Sequence, residues 1–206
     1  MSRTMVHVLI LVICVALYVT KAYGQTEVDS RLKKVTHKAR FVIHHGDTKL
    51  GVITVNLYGK IAPRTVKNFI TFAGDGFWGL SYNSTEFHRV KESLIQGGDV
   101  ENRKGWGSLS IYGTYFDDEP FLLNHAEPGI VSSANAGKDT NGAQFIITTE
   151  PAPWLDGQNL AFGNVSRASM TVIKKIQQVQ VGPTKRPLTP VVITNCTVKV
   201  LEELRG

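Results

Sequence analysis

Ala39-Arg40-Phe41-Val42-Ile43-His44 and Gly51-Val52-Ile53-Thr54-Val55-Asn56-Leu57-Tyr58, joined through His45-Gly46-Asp47-Thr48-Lys49, decide the fold class of this chain. Both runs are rich in β-branched and aromatic residues, and the segment between them carries the glycine and aspartate of a turn, so the pair reads as a β-hairpin. Immediately downstream the period changes. Pro63 suits the first turn of a helix, and Val66, Phe69, Ile70 and Ala73 recur at i, i+3, i+4 and i+7, an apolar helical face ended by Gly74-Asp75-Gly76. From 77 to 165 short apolar runs alternate with Gly, Asn, Asp and Pro. A second helix is expected over about 166–178, with Met170, Ile173 and Ile176 inward, and Val191 to Leu201 makes a last strand. Many short strands with two helices predict a mainly β domain, a closed barrel whose open ends the helices cover.

Composition narrows the class further. A chain of 206 residues has room for one domain with a proper core, and 42% hydrophobic against 19% charged residues excludes a disordered chain. Basic residues are scattered singly or in pairs (Lys33-Lys34, Lys174-Lys175, Lys185-Arg186), which reads as solvated surface and not as a nucleic-acid stripe. His44 and His45 would point to opposite faces of a strand, and no metal site stands out.

Working outward to the N-terminus, Arg3 precedes an apolar run from Val6 to Val19, and Ala22-Tyr23-Gly24 offers small residues at cleavage positions. This reads as a signal peptide over residues 1–24, the run being shorter than the ~20 residues a bilayer needs; the competing reading is a retained signal anchor. Cleavage would remove Arg3 and Lys21, leaving 21 basic against 17 acidic residues and lowering the formal charge from +6 to +4. It would also remove Cys14, so no internal disulfide is expected, and Cys196 reads as a buried small hydrophobe on one strand face with Val192, Thr194, Val198 and Val200. Residues 25–37 read as a polar leader, 38–202 as the domain and 203–206 as a tail. In a secreted chain Asn83, Asn164 and Asn195, each in an Asn-X-Ser/Thr triplet, are glycosylation candidates.

Phe87-His88-Arg89-Val90, Gln96-Gly97-Gly98-Asp99, Ser110-Ile111-Tyr112-Gly113, Ser133-Ala134-Asn135-Ala136-Gly137-Lys138-Asp139-Thr140-Asn141-Gly142-Ala143-Gln144-Phe145 and Trp154-Leu155-Asp156-Gly157 occur in this order. They resemble the cyclophilin family of peptidyl-prolyl isomerases, particularly its secretory, B-type branch, over nearly the whole chain after residue 37. The resemblance implies an eight-stranded antiparallel barrel with two helices, and proline-containing client segments as partners. It implies no cofactor, no nucleic acid, no membrane after signal cleavage, and a monomer.

The chemistry asks little of the residues. Rotation about an X-Pro bond meets a barrier of ~18–20 kcal/mol because the nitrogen lone pair is delocalised into the carbonyl. A donor aimed at that nitrogen favours localisation of the lone pair as the bond twists, and it contributes only there. Arginine suits the task, being always charged with donors in a fixed fork. By resemblance Arg89 is that donor and Gln96 holds the substrate backbone and helps to orient it. Ala134, Asn135 and Ala136 would meet the peptide main chain, Leu155 would wall the proline pocket, Trp154 would stand at its rim, and Gln144 beside them.

The same comparison exposes departures. One residue fewer than the family usually has separates Arg89 from Gln96, and Ser93 and Leu94 stand where relatives carry a phenylalanine and a methionine. Ile146 replaces another phenylalanine and Asn159 a histidine, so the pocket is expected to grip proline weakly and cyclosporin-type ligands weakly as well. Trp106 occupies a place usually held by a small residue at a side pocket. Two functions follow: a slowed isomerase of X-Pro bonds in secretory-pathway proteins, or a non-catalytic Pro-peptide binding module or chaperone.

Overall fold

The computed structural model describes residues 28–201, so the signal reading of residues 1–24 and the tail at 203–206 concern residues outside it. The opening hairpin forms as the pattern requires. β1 (His37–His45) pairs antiparallel with β2 (Thr48–Leu57), and Ala39, Phe41 and Ile43 from one strand bury fully with Ile53, Val55 and Leu57 from the other. Residues 28–36 are less loose than a polar leader suggests. Val28 and Leu32 pack on the core, and the fully buried Thr36 hydroxyl donates to the Leu57 carbonyl and accepts the Gly59 N–H at 2.9 Å.

The helix α1 (Pro63–Ala73) starts at its proline and ends at Gly74. It drives Phe69 into a ring cluster with Phe41, Tyr82, Phe145 and Phe162, centroids 5.2 to 5.8 Å from it. Burial of such a ring makes Phe69→Ala a change of about 3–5 kcal/mol. A second helix, α2 (Met170–Gln177), lays Val172, Ile173 and Ile176 against β2. Gly51 permits this approach: its φ is +143°, and a Cβ there would meet Val172 at 2.7 Å.

The remaining strands are β3 (Arg89–Val90), β4 (Leu94–Gly97), β5 (Ile130–Ser133), β6 (Phe145–Thr148), β7 (Ala161–Val165) and β8 (Val191–Val200). They form one curled sheet in the order β3-β4-β6-β5-β7-β2-β1-β8, so the expected eight antiparallel strands and two helices are present. Closure differs from expectation. No ladder joins β3 to β8 among the described residues; the two ends of this half-barrel are spanned by the single bridge Glu86↔Val192 and irregular bonds such as Phe87 N–H to the Val191 carbonyl at 2.8 Å. The two-residue β3 is too short to zip onto β8. A second correction concerns β8 itself. Its pairing with β1 shifts between Val42 and Ile43, and this bulge places Val191 and Ile193 inward before Cys196, while Thr194 points out. The single inward face expected for Val192 through Val200 is therefore broken, although Cys196 is buried as expected.

Candidate active site

The hairpin β3–β4 pairs Arg89 with Gln96 and Val90 with Ile95, and its turn is closed by the Lys91 N–H on the Leu94 carbonyl at 2.9 Å. The register carries on across the sheet: Gln96 faces Ile146, and Ile146 faces Ser132. Directly opposed residues share a face, so Arg89, Gln96, Ile146 and Ser132 make one row over four strands. The next row, Val90, Ile95, Ile147 and Val131, turns the other way into the core. Leu94 lies two residues from Gln96 and so shares its face, where it buries with Ile146 and Ala134 in a small apolar cluster apart from the main core. Ser93 does not join that cluster; it lines a separate groove with Lys91, Glu92 and Gln177.

Arg89 is exposed, and its guanidinium makes no ion pair or hydrogen bond among the described residues. Gln96, its expected orienter, does not bond to it. The Gln96 amide donates to Gln144 Oε1 at 2.8 Å, and the Gln144 amide donates to the Gly107 carbonyl at 2.7 Å. With Ala134, Asn135, Ala136, Trp106 and Ser108 these two glutamines line a cavity of about 170 Å³. The Asn135 side chain is engaged elsewhere, but its own N–H and C=O have no partner among the described residues. The Ala136 N–H is taken by Thr140 Oγ1 at 2.9 Å.

The loop bearing Trp154 and Leu155 is tied to β5 and the residues just after it at three points. Asn159 Nδ2 donates to the Ser133 carbonyl at 3.0 Å, and Asn135 Nδ2 donates to the Gln158 carbonyl at 2.6 Å. The third tie runs through His125, which sequence reasoning missed. Its Nδ1 lies 2.7 Å from Asp156 Oδ1, its backbone N–H donates to the same oxygen at 2.8 Å, and its Nε2 lies 2.6 Å from Ser132 Oγ. A Ser-His-Asp series invites a nucleophilic reading, but His125 and Ser132 are fully buried and no substrate reaches them. The series is a tether: it fixes Leu155, 9% exposed, and Trp154, 54% exposed, relative to the row.

Asp99, seen in the sequence only as part of a motif, organises the loop on the other side. Its carboxylate accepts the N–H groups of Glu101, Asn102, Gly105, Trp106 and Gly107, and Glu101 Oε2 accepts those of Ser108 and Leu109. Burial pushes the Asp99 carboxyl up, but these donors outweigh it and hold it below the ordinary carboxylate value. Gly105, at φ +95°, lies against His88, where a Cβ would meet the ring at 2.6 Å. Burial is the main cause holding His88 below its ordinary value, with Arg186 adding to it and Asp99 opposing.

Of the triplet asparagines, Asn83 and Asn195 are exposed, whereas Asn164 is half-buried on β7 and accepts from Asn56 Nδ2 at 3.1 Å. Among the described residues no helix is long and apolar enough to cross a membrane.

Comparison with known proteins gives a consistent result. The family model described as Cyclophilin type peptidyl-prolyl cis-trans isomerase/CLD matches residues 41–198. The chain is 45% identical over 163 residues to peptidyl-prolyl cis-trans isomerase D of Saccharomyces cerevisiae, covering 78% of this chain and 71% of that protein. It is 44% identical over 163 residues to the rhodopsin-specific isozyme of Calliphora vicina, covering 79% and 69%. Against peptidyl-prolyl cis-trans isomerase B of Saccharomyces cerevisiae it is 43% identical over 171 residues, covering 82% and 83%.

Proposed function

The chain belongs to the cyclophilin-type peptidyl-prolyl cis-trans isomerase family, and from that membership we propose that it rotates X-Pro bonds with Arg89 as the donor to the proline nitrogen. The observation that carries this reading is an exposed guanidinium with no protein partner, on the same face as the apolar cluster of Leu94, Ala134 and Ile146. A proline ring against that cluster places its nitrogen toward Arg89. Asn135 offers a free main-chain donor and acceptor to the extended peptide, Gln96 and Gln144 border it, and Leu155, Trp154 and Asn159 form the tethered wall. No nucleophile, general base or metal takes part, because no bond is broken.

Activity is lower than the aromatic-walled members of the family would have. Leu94, Ala134 and Ile146 are only 6 to 8% exposed, so they offer little surface to a ring. A deficit of ~1–3 kcal/mol in ring contact is about 5- to 150-fold in affinity. That same observation supports the second reading, a Pro-peptide binding module or chaperone with weak catalysis. It also implies weak binding of cyclosporin-type macrocycles, for which Trp154 supplies a rim donor but the walls supply poor enclosure. The clients are secretory-pathway proteins, met by a monomer released from its signal near Gln25 and glycosylated at Asn83 or Asn195.

NMR exchange on an X-Pro peptide tests the enzyme reading: wild type must accelerate cis-trans exchange above the Arg89→Ala background, and equal rates refute it. Expression in a eukaryotic cell tests the location: a full-length, unglycosylated cytosolic product refutes it.

A further inference from the structure

Next to Arg89 lies a second hollow, of about 530 Å³, whose charged lining is of one sign. Arg89, Lys104 and Arg186 contribute three positive charges, His88 and Thr184 are neutral lining, and Trp106 stands beside them with 84% of its surface exposed. No carboxylate lines it. Arg186 is braced rather than free: its Nη2 pairs with Glu86 at 2.6 Å and donates to the Arg103 carbonyl at 3.0 Å, and its Nη1 donates to the Lys104 carbonyl at 3.1 Å. These bonds hold the segment before β8 against the loop that carries Lys104 and Trp106, so the hollow is a built feature.

Glu86 answers Arg186, and Asp99 lies behind the loop with its oxygens on backbone N–H groups. Arg89 and Lys104 have no carboxylate partner among the described residues. His88, 8% exposed, adds no charge to the lining. Arg89 belongs both to this hollow and to the row facing the apolar cluster. Gln96 and Trp106 line both this hollow and the cavity that includes Asn135, so the hollow adjoins the site of a peptide whose proline meets that cluster.

We propose that this hollow receives an anionic side chain of the client, a carboxylate or phosphomonoester close to the proline, and so makes the protein selective for acidic Pro-containing segments. The proposal rests on the Arg89 face being the proline site. Lys104, uncompensated in a concavity whose other charged lining is also positive, attracts such a group through complementarity that salt screens and leaves Arg89 to the proline nitrogen.

The test is a peptide panel on the wild-type protein, each peptide carrying Glu, phosphoserine, Gln or Lys at one of two positions on either side of a single X-Pro bond. Turnover is read by NMR exchange and binding by calorimetry. On one flank the Glu peptide is expected to exceed its Lys counterpart by about 5- to 20-fold at low salt, with phosphoserine above Glu and the ratio collapsing near 0.5 M salt. K104E should bring the ratio to one or below. Ratios within twofold at all four positions, or a ratio indifferent to K104E, overturn the proposal while a turned-over or bound Gln peptide leaves the proline site standing. A Gln peptide neither turned over nor bound overturns the site and this proposal with it.

Discussion

Arg89 and Gln96 stand opposite each other on β3 and β4, yet the Gln96 amide bonds to Gln144 at 2.8 Å and leaves the guanidinium with no protein partner. An unpaired arginine is open to a ligand, and a neutral neighbour keeps it so. Gln96→Glu reverses that by setting a carboxylate opposite the guanidinium, where a charge-assisted pair forms first. The substitution is expected to lower kcat/KM on a Pro peptide by about 10- to 100-fold, each tenfold being about 1.4 kcal/mol of barrier. Gln96→Ala, which removes the amide without adding charge, should cost less. Paired exchange measurements on the two variants check the order.

The His125 tether gives a stability prediction. Removing the ring leaves the buried Ser132 hydroxyl without its partner and the Asp156 carboxylate with only the backbone N–H of residue 125. His125→Ala is expected to cost about 2–4 kcal/mol, and Ser132→Ala about 1 kcal/mol, in urea unfolding. With Trp154 and Leu155 as the proposed wall of the proline site, KM for a Pro peptide should rise in His125→Ala more than kcat falls. An unchanged KM would detach the tether from the site.

Asp99 predicts a pH dependence. Its folded value lies below the unfolded one, near 3.9, so its contribution is fully present above about pH 4 and is lost as pH falls through the depressed value. Asp99→Asn should remove about 1–3 kcal/mol at neutral pH, since an amide nitrogen cannot accept loop N–H groups, and should flatten the acid limb of the stability curve. Denaturant midpoints between pH 2.5 and 7 for both proteins decide it.

Cys196 predicts the opposite limb. Burial pushes its thiol up to about 11. A neutral thiol stabilises the fold fully below the unfolded value near 8.5 and loses that contribution as pH rises toward 11. Native protein at pH 8 should therefore react with a thiol reagent far more slowly than urea-unfolded protein, and rapid native labelling would contradict the buried placement.

How much of this was legible in the sequence depends on the range of the interaction. The hairpin, α1 and α2 are local patterns, and Phe41, Phe69 and Ile173 went where their periods put them. Arg89 and Gln96 were legible because their motifs are local too, although their separation of roles was not: the bond from Gln96 to Gln144 spans 48 residues. The β8 bulge arises from pairing with β1, at the opposite end of the described chain, and no alternation within β8 reports it. His125 and Asp156 are each unremarkable alone; only the fold brings them onto Ser132. The open edge between β3 and β8 likewise follows from the length of a two-residue strand, which composition does not reveal.

The central claim, that Arg89 acts on the twisted bond and not on binding, is tested most directly by NMR exchange at saturating X-Pro peptide. Wild type, Arg89→Lys and Arg89→Ala are compared, with peptide Kd measured separately. Loss of a preorganised donor costs about 10²–10³ in rate. The account predicts a fall of that size in Arg89→Ala, a smaller fall in Arg89→Lys, which keeps the charge but not the fork, and Kd values within about threefold of wild type. An undiminished exchange rate in Arg89→Ala at saturation, or a loss confined to Kd, would contradict it.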